Sequence, residues 1–191
     1  MVRTNKHKSL SKTWLFVTLG FSVAAFLVRW ADLTIPIIGT LAKIDPREIF
    51  VILGAALTGP AGGAVIGFFS DLPTYPTLSG AGYILLLAHT LSAALFGLLY
   101  RPLYHRVPMP GLLVGWMALV VVYYYLLLIP AFGILVLLAG PAWAAAVFGA
   151  ELSFFQIYTL LGQEAVPELW GTLILSSIIL VAMPAKYRRP L

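Results

Sequence analysis

The run Asp45-Pro-Arg-Glu-Ile-Phe-Val-Ile-Leu-Gly-Ala-Ala-Leu-Thr-Gly-Pro-Ala-Gly-Gly-Ala-Val-Ile-Gly-Phe-Phe-Ser-Asp71 is apolar through its middle, interrupted at its centre by Gly59-Pro60 and fenced by carboxylates at both ends. Two conformations suit it. As one helix, rising about 1.5 Å per residue, it is long enough to cross a hydrocarbon core of about 30 Å. As a hairpin of two short helices it turns at Gly59-Pro60, where proline fixes its own φ and lacks an N–H, and glycine accepts a left-handed backbone. Hydropathy does not separate the two readings. The charges around the run do.

Composition sets the medium. Of the 191 residues 61% are hydrophobic and only 10% charged, whereas water-facing domains carry about 25% charged residues. The chain therefore belongs in lipid, with apolar stretches at 13–31, 48–70, 80–100, 110–138, 142–162 and 168–184. A net charge of +5 raises nucleic acid as a partner. The basic residues instead flank apolar spans, as juxtamembrane charges do, so no nucleic-acid partner is expected. There is no cysteine, hence no disulfide, thiol nucleophile or thiolate metal site. Arg3, Lys6, Lys8 and Lys12 precede the apolar run from Trp14 to Val28, which lacks a small-x-small cleavage pattern before Arg29 and reads as a retained first span.

Cytoplasmic loops are enriched in Lys and Arg. A turn at Gly59-Pro60 places nine of the twelve Lys and Arg inside, including those of the cluster Arg101, His105 and Arg106, and all seven carboxylates at or near the outer face. A single crossing puts that cluster outside. The count favours the hairpin, with arms at 48–58 and 61–72. An even number of crossings must then separate Arg106 from Lys186, so one of the three remaining stretches fails to cross. The stretch 142–162, holding Glu151, Gln156 and Gln163 among aromatics, reads as a helix lying at the outer interface or capping a cavity there. The expected fold is all-α: one polytopic membrane helix bundle over residues 1–191, about six transmembrane helices, with N- and C-termini cytoplasmic.

The spacing of Asp45, Gly59, Pro60, Gly63, Gly67 and Asp71, after a first span and an outer loop, resembles the substrate-binding S-components of energy-coupling factor (ECF) vitamin transporters. So do the size, the segment Leu91-Ser-Ala-Ala-Leu-Phe-Gly-Leu-Leu-Tyr-Arg101, and the closing Val166-Pro-Glu-Leu-Trp-Gly-Thr-Leu-Ile-Leu before a basic tail. The resemblance implies a subunit in the plasma (inner) membrane of a prokaryotic cell that captures a vitamin-like small molecule from outside. It also implies a transmembrane coupling subunit and two ATPase subunits as partners. The chain has no Gly-x-x-x-x-Gly-Lys-Ser/Thr, so ATP binding is left to those partners. Gly-Pro-x-x-Gly turns also occur in the membrane sensor modules of LytS-type histidine kinases. Those normally precede a cytoplasmic signalling domain, whereas this sequence ends at Leu191.

The candidate substrate-binding residues are Asp71, Tyr75, His89, Tyr124, Glu151, Gln156 and Trp170. His89 lies mid-stretch, where an ionisable group either faces a cavity or is satisfied by a helix neighbour. Asp71 and Tyr75 mark the outer end of the hairpin. Tyr123-Tyr-Tyr125 covers most of a helix circumference, so at least one ring faces inward. Trp170 suits either stacking on a flat ligand or a membrane-interface belt. Asp45, Arg47 and Glu48 read as helix-start residues, where the acids complement the dipole, and Asp45 reads either as a cap or as a gate over the pocket. Gly20 and Ala24, four apart on the first span, allow close helix approach. In the S-component family, small residues of the first helix meet the coupling subunit. No enzyme is expected: a nucleophile–base pair or metal-ligating His cluster is not apparent, and spacing gives no support to a triad of Ser70, Asp71 and His89. No cofactor or metal is expected.

Overall fold

The computed structural model describes residues 12–36, 43–74 and 81–191. It is an all-α bundle. Helix α1 (Lys12–Trp30) is followed by a two-residue antiparallel pairing of β1 (Ile35–Pro36) with β2 (Lys43–Ile44), then α2 (Arg47–Asp71) and α3 (Ala81–Arg106). Helix α4 (Met109–Val122) runs through a π-helical turn (Tyr123–Leu128) into α5 (Ile129–Ala139). Short α6 (Pro141–Phe148), long α7 (Phe154–Ala182) and the single turn α8 (Ala185–Arg188) complete it. Among the described residues five helical stretches are long and apolar enough to cross a membrane, so the protein is a multi-pass membrane protein.

One of those five, α2, is folded on itself. Gly59 has φ 72° and ψ −167°, a backbone that glycine adopts without the Cβ penalty other residues meet. Pro60 follows at the start of the second arm, where its missing N–H costs nothing. Residues 24 apart on a straight helix lie about 36 Å apart, yet Arg47 and Asp71 form an ion pair. A Cβ built on Gly63 would lie 3.0 Å from that of Ala55. The arms, 47–58 and 60–71, are each about 18 Å long, well short of a hydrocarbon core of about 30 Å.

The reversal collects most of the basic residues at one end. The Trp14 indole donates to the Thr58 carbonyl at 2.8 Å, the Leu191 N–H to that of Leu57 at 2.8 Å, and Arg101 to that of Leu191 at 3.2 Å. The turn of α2, the start of α1, the end of α3 and the C-terminal residues therefore share this basic end. The open end of α2 lies at the opposite, acidic end, where Arg29 approaches Asp45 at 3.9 Å.

Helices in lipid gain little from apolar burial against one another and rely on close packing. The α2–α3 contact is built for that. A Cβ on Gly67 would collide with the His89 carbonyl oxygen, one on Gly63 with that of Ala93, and one on Gly97 with the backbone of Ala55 and Gly59. Behind this contact stands an edge-to-face aromatic column: Phe96 with Trp116 at 5.4 Å, Trp116 with Tyr100 at 5.5 Å and Phe96 with Tyr123 at 5.6 Å. The Trp116 indole donates to Ser176 Oγ at 3.0 Å, tying α4 to α7.

The expected single helix over 142–162 is divided. Gly149 takes a left-handed conformation (φ 72°) and ends α6. Ser153 and Gln156 form a reciprocal capping box that starts α7. The last span thus begins at Phe154 rather than 168, and only α6 lies apart at the acidic end.

Candidate ligand-binding site

Arg47 and Asp71 are each twelve residues from Gly59, so the reversal sets them side by side. Arg47 pairs with Asp71 through Nη1, with Glu48 Oε1 through Nη2 at 2.9 Å, and with Asp45 Oδ2 through Nε at 3.2 Å. The second helix to contribute is α3. His89 Nε2 lies 2.8 Å from Glu48 Oε1, and its Nδ1 faces Asp71 Oδ2 as well as the Leu85 carbonyl at 3.2 Å. Carboxylates and carbonyls accept, so both ring nitrogens donate, the pattern of an imidazolium. The Tyr123 hydroxyl closes the network, donating to Glu48 Oε2 at 2.9 Å. Glu48 is wholly buried and Asp71 only 1% exposed. Charges at membrane depth are tolerated when paired in this way, and here two carboxylates meet a guanidinium and an imidazole.

A cavity of ≈ 360 Å³ opens beside the network between α2, α3, the α4–α5 helix and α7. Arg47, Glu48 and His89 form its charged side. Leu85, Leu128, Ile129, Phe132 and Leu161 form the apolar one. Tyr124, Glu164 and Glu168 complete the lining. The Tyr124 hydroxyl lies 3.1 Å from both Glu168 Oε1 and Thr172 Oγ1, joining α4–α5 to α7. The adjacent tyrosines that serve separate carboxylates sit at the start of the π turn. Such turns insert an extra residue per turn and occur often at functional sites. Here Tyr123 reaches Glu48, Tyr124 reaches Glu168, and Tyr125 donates to the Gly162 carbonyl at 2.9 Å.

Of the sequence candidates, Asp71, His89 and Tyr124 meet here, with His89 and Tyr124 lining the cavity and Asp71 holding its charged side. Tyr75 lies outside the described residues. Glu151 is exposed and belongs to a different pocket, beside Gly140 and Ser153. Gln156 is exposed and caps α7. Trp170, 58% exposed, faces away from the bundle. Gly20 is exposed with open space around it, and Ala24 is half-buried. Ser70 donates to the Gly67 carbonyl at 2.7 Å, not to His89. Sequence reasoning missed Arg47, Glu48, Tyr123, Glu164, Glu168 and Thr172 as site residues. A signal was present for two of them: mirror symmetry about Gly59 sets Arg47 and Glu48 opposite Asp71.

No family model, curated protein or solved structure matches this chain. Among the described residues no cluster of three His, Asp or Glu is arranged to hold a metal ion. What the arrangement offers is an apolar chamber with a rigid, charged floor and two further carboxylates, a design for holding a small molecule in one orientation.

Proposed function

We propose that this protein is the substrate-binding subunit of a micronutrient importer of the energy-coupling-factor kind, in the plasma membrane of a prokaryotic cell. Its basic end faces the cytoplasm and its cavity loads from outside. The observation that carries the reading is the ≈ 360 Å³ cavity set between four helices at the acidic end, a size within the range of small-molecule sites. The distribution of charge supports the orientation, since Arg101, His105 and Lys186 gather opposite the cavity. The outer face of α1 supports a partner in the membrane: Phe16, Leu19, Val23 and Leu27 are exposed along it beside Gly20. A coupling subunit docking there would bring the two ATPases that drive release.

Orientation is tested first, in a chain that has no cysteine of its own. His105→Cys should resist membrane-impermeant thiol reagents in intact cells, while Glu151→Cys should react. Rapid labelling at 105 inverts the topology. Function is tested by native mass spectrometry of the purified chain, with co-expression of coupling and ATPase subunits. The expected result is a co-purified small molecule, a stable complex and ATP-dependent uptake. A folded chain that carries no small molecule and joins no complex would sink the importer reading. A ligand-loaded chain that pairs with a signalling protein instead would make it a sensor module.

A further inference from the structure

The chemical class of ligand follows from which charges around the cavity are already taken, given the ligand-binding reading above. Its positive lining groups are Arg47 and His89. Arg47 is occupied by Asp45, Glu48 and Asp71, and His89 by Glu48 and Asp71. Each of their nitrogens already lies within ion-pair distance of a carboxylate, so an anion would have to compete for them.

Glu168 is held differently. It sits within the long α7 and receives a hydrogen bond only from the neutral Tyr124 hydroxyl. Among the described residues no Lys, Arg or His lies within ion-pair distance of it or of Glu164, one turn earlier and exposed at the rim, and Arg47 acts on Glu168 only from farther away. A carboxylate at membrane depth without a counter-charge is costly, and such groups pair or mark a ligand path. The same cavity is lined by Tyr124 and Phe132, whose rings attract cations, and by Leu85, Leu128 and Leu161. An anionic ligand would meet Glu48, Glu164 and Glu168 and would have to compete with Asp45, Glu48 and Asp71 for Arg47 and His89.

We propose that the cavity takes a small organic cation, an amine or quaternary ammonium on an apolar body, with Glu168 as its counter-ion. Glu164 at the rim draws the same charge inward.

The test uses three probes of one shape: benzyltrimethylammonium, benzyl alcohol and benzoate, titrated calorimetrically into the full chain in maltoside detergent. The cation should bind at least about tenfold tighter than benzoate, a difference of about 1.4 kcal/mol, with the alcohol between them. Glu168→Gln, which still accepts from Tyr124, should lose most of that preference while keeping the melting temperature. Glu164→Gln should lose a smaller part. If Glu168→Gln does not fold, the probe ranking on the wild-type chain decides. Benzoate binding as tightly as the cation, no saturable cation binding to folded protein, or an unchanged preference in folded Glu168→Gln would each overturn the assignment.

An ammonium can also come from a lipid headgroup, so the titration is repeated in nanodiscs of phosphatidylglycerol with and without phosphatidylethanolamine. Competition by the ethanolamine lipid assigns the ammonium to a headgroup, and unchanged affinity assigns it to a soluble amine. An anionic molecule co-purified in the cavity would remove the cation proposal and leave the importer reading standing. Cation binding without uptake or complex formation would do the reverse.

Discussion

Four carboxylates face one region of the acidic end and are held in opposite ways. Glu48 and Asp71 sit on the two arms of α2, buried and locked between Arg47 and His89. Glu164 and Glu168 sit one turn apart on α7 across the cavity, with a tyrosine hydroxyl as the nearest donor to Glu168. The first pair belongs to the tightest packing in the bundle, where glycines bring α2 against the backbone of α3. The second belongs to a wall with room in front of it. Both pairs are acidic groups at membrane depth, so charge alone does not mark a site. The number of bonds already made to each group does, and on the proposal above it separates scaffold from ligand contact.

The contrast can be broken most directly at Arg47. Arg47→Met leaves Glu48 and Asp71 without their guanidinium and should cost about 3–5 kcal/mol, read by denaturant unfolding in detergent. A loss below about 1 kcal/mol would mean that the network does not hold α2. Next in size is Gly67→Val, which forces the arm away from the His89 carbonyl and should cost about 1–3 kcal/mol. Its thermal melt should fall without any change in charge selectivity. On the other wall, Gln156→Ala removes half of the capping box and should cost about 1 kcal/mol, leaving probe binding intact. Loss of binding there would move the site toward α6. Smallest in stability is Glu168→Gln, which keeps an acceptor for Tyr124 and removes a charge without an ion-pair partner, so it should unfold no more easily than wild type by the same measurement. A large destabilisation at Glu168 would place it with Glu48 as scaffold and erase the distinction.

Much of this was legible before any coordinates. The apolar runs announce a helical membrane bundle, and Gly59-Pro60 marks a break whose position, midway between Arg47 and Asp71, dictates which charges meet. Arg47 and Glu48 were nevertheless read as helix-start residues, because that local role suffices until the second arm returns beside the first. The stretch 142–162 misled for a related reason. Its apolarity runs on past Gly149 and Ser153, and Gln156, a substrate candidate by its polarity, instead completes with Ser153 the cap that starts a helix. The three tyrosines were hardest. On a regular helix consecutive residues diverge by about 100°, and no spacing rule foretells the π turn through which they serve three partners.

The short arms of α2 also bear on how the chain enters a bilayer. Segments of about a dozen apolar residues are too brief to be taken up singly as transmembrane helices, and each carries a charge at its mouth. Arg47 and Asp71 cancel only after the chain has turned at Gly59. Inserted without the turn, the arms would leave opposite charges in separate places, so the bend at Gly59 is what lets two short segments enter lipid as one unit with those charges paired.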